Sequence, residues 1–562
     1  MPPKVYASQA CRACRYMIHS FTIASYLYPT AWVLTRFIHC SRLKRKCTRE
    51  VPTCALCYRL GKTCEYAETA ASESTISTRL SHIESILHVD GVSPCRSLPG
   101  ISAAAFFPRP AEAFPLPFFL DSECLSPQGL NSLSWSQNPQ LHQVVAEHLD
   151  DDRVALCEEY LKTVHKWLPM VSRKRLLNEL NSDPAEVDGC LAIFLLCIKA
   201  FSTKDGECAK TSSWYLLARS LCSEAESAGF VSLRLVQSLV LLAVYELSHA
   251  IYPGAYLTLG RASRLGILLG IHDRKNNQLF KPAETWTLRE EQRRTSWAIF
   301  LLDRLMNIET NLPFTVPEPV QDELLPINDE DWDEGKIVPS EPLFTMSFSS
   351  LTAVGSFAKM CQAAHMLGKV MSHRASKRSL QDVGSLLPEA VSLHAALSAL
   401  HLSIKEYISA TTSSDFSISG IISLSLCCSA QLLLYNMYGC NEPLVLIEQS
   451  RIAMETEMQS VSLHGIKSIS FDVMPAIARA NIECPLITQC LYHVATECAW
   501  FVREDHEPQM YSALEDVVRE LKSTGEKWRI ATEYLALLQQ AGVLSLITVD
   551  TDASSTLTPS SR

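Results

Sequence analysis

Six cysteines near the start of the chain have the spacing of a metal site. They read Cys11-x2-Cys14 and then, after a long gap, Cys47-x6-Cys54-x2-Cys57-x6-Cys64. A Cys-x2-Cys pair presents two thiolates from one tight turn, at a separation that suits tetrahedral zinc with Zn–S bonds of about 2.3 Å. Six thiolates are two too many for one zinc, but they satisfy two zincs if two of them bridge both metals. Directly before Cys47 runs Ser41-Arg42-Leu43-Lys44-Arg45-Lys46, a cationic turn tethered to a ligand. A metal-stapled basic turn suits presentation of Arg42, Lys44, Arg45 and Lys46 to a groove of double-stranded DNA. Residues 41–65 hold seven Lys and Arg against Glu50 and Glu65, whereas the whole chain of 562 residues carries a net charge of −10. A small cationic module on an acidic body fits local DNA binding rather than binding over the whole surface.

The pattern resembles the fungal Zn2Cys6 binuclear cluster transcription factors, in which Cys-x2-Cys-x6-Cys is followed by a loop and Cys-x2-Cys-x6–8-Cys. Cys47 to Cys64 follows that pattern, with Pro52 in the loop and Cys64-Glu65-Tyr66 at the close. The resemblance implies two Zn2+ per chain, with Cys11 and Cys54 bridging, Cys14 and Cys47 completing one zinc, and Cys57 and Cys64 the other. It also implies that Lys44 reads bases in CGG-type triplets, where guanine N7 and O6 are acceptors. Arg42, Arg45 and Lys46 would share phosphate and base-edge contacts.

One interval departs from the family. Between Cys14 and Cys47 lie 32 residues where six are expected, and removing 15–40, which is 26 residues, leaves six. Cys40 is also six residues short of Cys47, but Phe37 stands where its Cys-x2-Cys partner would be, so the expected ligand is Cys14. Three readings of 15–40 are open. As a retained intron, Arg15-Tyr16-Met17 is codable with a 5′ GTAYATG, Cys40-Ser41 with a 3′ CAG and Leu34-Thr35 with a branch-point-like CTAAC, and the 78 nucleotides keep the frame. The segment can equally be a genuine insertion. As a membrane span it has no charged residue from Tyr16 to Thr35, but Pro29, His19 and many hydroxyls argue against that, and no membrane association is expected.

Hydrophobic residues make up 47% and charged residues 20%, the composition of a chain that builds a core. Met1-Pro2-Pro3-Lys4 leads into the cysteines without an apolar stretch, so no signal peptide is expected. Of 21 cysteines, those beyond the cluster are scattered, and Cys197, Cys222, Cys427 and Cys428 fall in apolar runs as small hydrophobes. A reducing compartment, cytosol or nucleus, is expected.

The elements that must position this module are read in chain order. The zinc module is assigned to 8–68. Leu80, Ile83 and Leu87 form the seam of a short amphipathic helix over 76–90, which the resemblance casts as a dimerising coiled coil and composition alone as a surface helix. Residues 91–141 are rich in Pro and Ser and read as a disordered linker. From 142 to 547 the periodicity is helical and an all-α domain is expected, followed by a disordered tail over 548–562. Within that domain Leu191–Phe201 and Leu233–Leu247 are apolar all round, as buried helices are, and Gly254, Gly260, Gly266 and Gly270 punctuate a packed pair of helices or turns.

This helical part is also similar to the family's middle homology region, over about 150–340 and beyond that only in general helical character. The resemblance is carried by Gly260-Arg261-Ala262-Ser263-Arg264-Leu265-Gly266, by the run from Glu290 to Arg304, and by Asp329-Glu330-Asp331-Trp332-Asp333. The charges of Glu291, Arg293, Arg294, Asp303 and Arg304 are expected to pair and tie helices together, since so apolar a helix needs them matched. The acidic run is expected to be a solvated loop rather than an activation patch.

No phosphate loop, zincin helix, nucleophile elbow or dinucleotide fingerprint occurs, so nothing supports an enzyme. The sequence reads as a nuclear, sequence-specific regulator of RNA polymerase II transcription, a homodimer contacting the transcription machinery. A secondary-metabolite gene cluster is the expected kind of target, and a small-molecule effector is left open. The rival reading is a helical ligand-binding regulatory protein whose interrupted zinc module no longer binds DNA.

Overall fold

The computed structural model describes Phe119, Phe280, Ile482 and residues 153–181, 190–201, 208–272, 282–310, 312–320, 323–343, 354–379, 383–410, 414–439, 449–480, 484–504 and 508–547. All of them belong to the unit Ser102–Arg562. The zinc module, the 15–40 segment, the 76–90 helix, the tail and all of the linker but Phe119 lie outside the described residues.

The described residues form seventeen α-helices and no strand, with one isolated bridge between Leu324 and Pro342. The first group is α1 (Arg153–Lys162), α2 (Val164–Trp167), α3 (Arg173–Asn181), α4 (Cys190–Phe201), α5 (Ser213–Ser227), α6 (Leu233–Ser248), α7 (Gly254–Leu269), α8 (Trp286–Asn307) and α9 (Asp329–Glu334). The second is α10 (Ser356–Ser379), α11 (Val383–Ala410), α12 (Ser414–Asn436) and α13 (Gln449–Ser468). The third is α14 (Met474–Arg479), α15 (Thr488–Glu504), α16 (Pro508–Lys527) and α17 (Arg529–Gln540).

The helices expected to be buried are buried. Ten of the twelve residues of α4 and fourteen of the sixteen of α6 are shielded from solvent. Helix α6 starts where Ser232 Oγ accepts from the backbone N–H of Leu235, and α8 where Thr285 does the same for Leu288. Each bond satisfies one of the amides that a helix start leaves without a partner. One core runs from Cys157 in α1 to Val543 beyond α17.

The four-glycine stretch differs from the expected pair of helices or turns. Gly254 to Leu269 is a single helix, and Gly270, at φ 66°, closes it in the left-handed conformation. A Cβ on Gly266 would come within 3.1 Å of Ile271 and 3.5 Å of Ile299, so this glycine sets how closely α7 approaches α8, whereas one on Gly260 would meet nothing. Helical Gly is costly but tolerated when packing holds the helix.

The acidic run also corrects the expectation. Asp329–Glu334 is a helix, not a solvated loop, and Asp329 and Trp332 are buried while Glu330, Asp333 and Glu334 face water. Three carboxylates in its first turn favour helix start through the helix dipole, and Gly335, at φ 67°, ends it.

One described helix stretch, Ile418–Asn436, is long and apolar enough to cross a membrane, with mean hydropathy 1.7, yet 89% of it is buried inside the protein. Its hydroxyls are satisfied, since Ser423, Ser425 and Ser429 donate to carbonyls four residues back and Ser419 to the Lys166 carbonyl. It is a core helix.

Candidate functional site

The charged motif on α8 lies within the core, and each of its charges has a partner. Arg294, fully buried, donates from Nε to Glu290 at 3.1 Å and from Nη1 to Asp329 at 3.0 Å. Its remaining N–H groups reach the carbonyls of Pro169 at 3.2 Å and Ile327 at 2.8 Å, and its plane lies 4.9 Å from the Trp332 ring. Glu291 accepts from Arg175 at 2.5 Å, from Gln237 at 3.2 Å and from the Ser172 backbone at 3.3 Å. Arg293 pairs with the other oxygen of Glu290.

One turn before its end, α8 repeats the device. Arg304 donates to Asp303 at 2.5 Å, Glu318 at 3.0 Å and the Val316 carbonyl at 3.0 Å, between the rings of Phe300 and Phe314. Asp303 in turn accepts from the backbone amides of Thr315 and Val316. Burial pushes Glu318 upward, but His365 and Arg304 outweigh it and hold the carboxyl below its ordinary value. Burial dominates at Asp303 and raises it despite Arg304. The expectation that these charges tie helices together is borne out. They fasten α3, α6, α9 and the 315–327 segment to α8 and leave no unmatched charge for a ligand.

Two neighbouring clefts share Lys162 and Lys166 in their linings. The smaller, about 330 Å³, is lined by Lys162, Lys166 and Arg173 but equally by Glu158, Asp329 and Asp333, so its charges cancel. The larger, about 540 Å³, lies between α1–α2, the end of α4, the start of α12 and the segment from Ala480 to Trp528. Its wall is apolar, with Tyr160, Val164, Trp167, Ile198, Ile482 and Trp528, and its rim carries Lys162, Lys166, Lys527 and Glu159. The Tyr160 hydroxyl is buried and has no hydrogen-bond partner. Nothing in the sequence marked this cleft, because residues as far apart as Glu159 and Trp528 build it.

Among the described residues, no group of three or more His, Cys, Asp or Glu is placed to hold a metal. The described cysteines form no disulfide, and all but Cys208 are buried, as expected for Cys197, Cys222, Cys427 and Cys428. Burial raises the Cys427 and Cys428 thiols, which keeps them inert. The sequence-predicted ligands Cys11, Cys14, Cys47, Cys54, Cys57 and Cys64, and the DNA-facing Arg42, Lys44, Arg45 and Lys46, lie outside the described residues. Their donor chemistry fits zinc, since all six are thiolates and four stand at the spacings a tetrahedral metal needs.

Two family models match the chain. The fungal Zn(2)-Cys(6) binuclear cluster domain matches residues 38–72, and the fungal specific transcription factor domain matches residues 157–438. The second match covers just over half of the 562 residues and continues about a hundred residues past 340, where the sequence showed only helical character. The first begins beyond Cys11 and Cys14 and takes in Cys40 through Cys64.

Among curated relatives, the chain is similar to Transcription factor BOA15 of Botryotinia fuckeliana (strain B05.10), 36% identical over 32% of this chain and 98% of that protein. It is 28% identical to the Ascochitine biosynthesis cluster transcriptional regulator of Didymella fabae over 34% of each chain. It is 24% identical to the Tropolone cluster transcription factor tropK of Talaromyces stipitatus over 59% of this chain and 65% of that one. Apart from the first, the chain thus spans less than two thirds of these relatives. No solved structure matches it. The chain therefore belongs to the fungal specific transcription factor domain family and carries a Zn(2)-Cys(6) binuclear cluster, a DNA-binding domain built on two zinc ions.

Proposed function

We propose that this protein is a nuclear, sequence-specific regulator of RNA polymerase II transcription that reads CGG-type triplets and is not an enzyme. The observation that carries the reading is the run Cys47-x6-Cys54-x2-Cys57-x6-Cys64, with Lys44-Arg45-Lys46 directly before it, inside the residues matched by the binuclear cluster domain. Cys11, Cys14, Cys47, Cys54, Cys57 and Cys64 hold the two zincs, with Cys11 and Cys54 bridging. Zinc supplies the folding energy that so small a module lacks. Lys44 contacts the guanines, and Arg42, Arg45 and Lys46 share the backbone. Two chains pair through 76–90, so that each reads one triplet, and the linker sets their spacing. Because relatives bear the names of ascochitine and tropolone clusters, the target is a secondary-metabolite gene cluster. The helical body receives a small-molecule effector and contacts the transcription machinery.

The test is DNA affinity of two purified forms, the chain as written and the chain without 15–40, on CGG sites and on scrambled sites. The shorter form should hold two zincs by mass spectrometry and bind CGG sites at least tenfold more tightly than the longer. The cluster match that begins at 38, past Cys11 and Cys14, favours a second reading for the longer form, a ligand-binding regulator that has lost DNA binding. Sequencing the transcript across codons 14–41 decides which form exists. Only long transcripts, with equal DNA affinity for both forms, would refute the intron account.

A further inference from the structure

The larger cleft joins two parts of the body that the family match separates. Its α1, α2, α4 and α12 walls lie within 157–438 or at its edge, while Ala480, Ile482, Lys527 and Trp528 lie beyond it. Its volume of about 540 Å³ falls in the range of small-molecule sites, which are mostly apolar with a few polar groups that fix orientation. The wall is rigid. Tyr160 is held edge-on by His165 and Phe194, with ring centres 5.7 and 5.8 Å away, and Trp528 packs on Phe201 and His249.

Two observations specify the occupant's chemistry. The lining is aromatic, with Trp167, Phe201 and Trp528 contributing to it, so it suits a flat apolar body. The rim places Lys162, Lys166 and Lys527 against Glu159, and Lys162 also pairs with Glu158 at 3.9 Å, so one positive charge is in excess, unlike the balanced neighbouring cleft. The Lys527 ammonium stands 5.1 Å from the Trp528 ring centre, at the mouth of the apolar wall.

We propose that this cleft binds one amphipathic organic acid, an apolar or aromatic body carrying one carboxylate or enolate. The body lies on Trp167, Ile482 and Trp528, and the acid meets the rim lysines. The bound acid ties the helices after 480 to the family domain. That this makes it the effector rests on the regulatory reading above, whereas the binding itself does not.

The probes are anilinonaphthalenesulfonate, an aromatic anion, and phenylnaphthylamine, the same body without the charge, titrated into the full chain at low salt. One saturable anion site per chain is expected, with the neutral amine at least tenfold weaker. Lys527→Gln, an exposed position, should weaken the anion three- to tenfold and leave the amine unchanged. Ala480→Trp, at the exposed edge, should block both probes without changing the melting temperature. Equal affinity for the two probes, or unimpaired binding in Ala480→Trp, overturns the proposal. Absence of saturable binding also overturns it. Affinity for CGG DNA, measured on the same preparations, fails separately if the DNA-binding reading is the one at fault.

Discussion

Replacing Arg294 by Met tests whether the α8 ion pairs hold the body together. Methionine keeps most of the stem's volume and its packing near Trp332 and Phe357, whose ring centres lie 4.9 and 5.6 Å from the guanidinium, so the change is chiefly electrostatic. Removing one partner of a buried ion pair costs about 3–5 kcal/mol. The lower end applies to the carboxylates here, because each retains other donors. Glu290 keeps Arg293 and the Ile327 amide at 2.9 Å, and Asp329 keeps Ser356 Oγ at 2.7 Å and the Phe357 amide at 3.0 Å. The carbonyls of Pro169 and Ile327 lose their donor as well, which adds about 1 kcal/mol each. The expected loss is therefore about 4–5 kcal/mol, read as a fall in the urea midpoint followed by circular dichroism. Adding Asp329→Asn removes one stranded charge but leaves an oxygen for Ser356 and Phe357, so the double variant should recover at least about 1 kcal/mol. A loss below about 1 kcal/mol in Arg294→Met, or strict additivity in the pair, would refute the reasoning.

Burial raises Glu246, only partly offset by hydrogen bonds from Thr258 and Tyr215, so its carboxyl holds a proton to higher pH in the folded protein than in the unfolded one. The wild type should lose stability as pH rises from the ordinary value of 4.5 through the raised one, and Glu246→Gln should lack that fall; parallel pH–stability curves would contradict this. Gly260→Ala, with open space at its Cβ, should stabilise by about 0.5–1 kcal/mol through helix propensity. Gly465→Ala would put a methyl 2.4 Å from the buried Tyr435 ring and should destabilise by about 1–3 kcal/mol, both changes being read from thermal melts. In the form without 15–40, Lys44→Ala should weaken CGG binding by about 1–3 kcal/mol and relax discrimination at the guanines, while Arg45→Ala weakens it evenly and flattens its salt dependence. Footprinting and salt titration check both.

What was legible in the sequence followed from constraints that act over a few residues. The cysteine spacing is set by metal geometry, and the all-round apolar runs of α4 and α6 admit no place but the core. The pairing of Arg294 and Arg304 was legible because a buried guanidinium leaves no alternative. The acidic run misled because polarity suggests water, while a buried ion pair and one tryptophan over Arg294 decided its fold. The four glycines misled for the opposite reason. Glycine permits a break without requiring one, and only Gly270 uses that freedom to end the helix. The cleft was invisible, since Tyr160 and Trp528 become neighbours only after three groups of helices have packed.

The same separation of scales bears on the 15–40 segment. Under the proposed ligand set, the chain as written closes a 32-residue loop where six residues would serve. Loop entropy grows only logarithmically, so the extra closure costs about 1.5 kcal/mol. Zinc sites of this kind contribute on the order of 10 kcal/mol or more to folding, so metal binding survives such a loop. DNA recognition does not have that margin. The base contact proposed for Lys44 requires its turn to be held by short tethers on both sides, and the longer form keeps the tether to Cys47 but loses the one to Cys14. An insertion here would therefore act on orientation and affinity, leaving the zinc count intact. Zinc content and DNA affinity have to be measured on the same preparation, because either one alone would misjudge whether the module works.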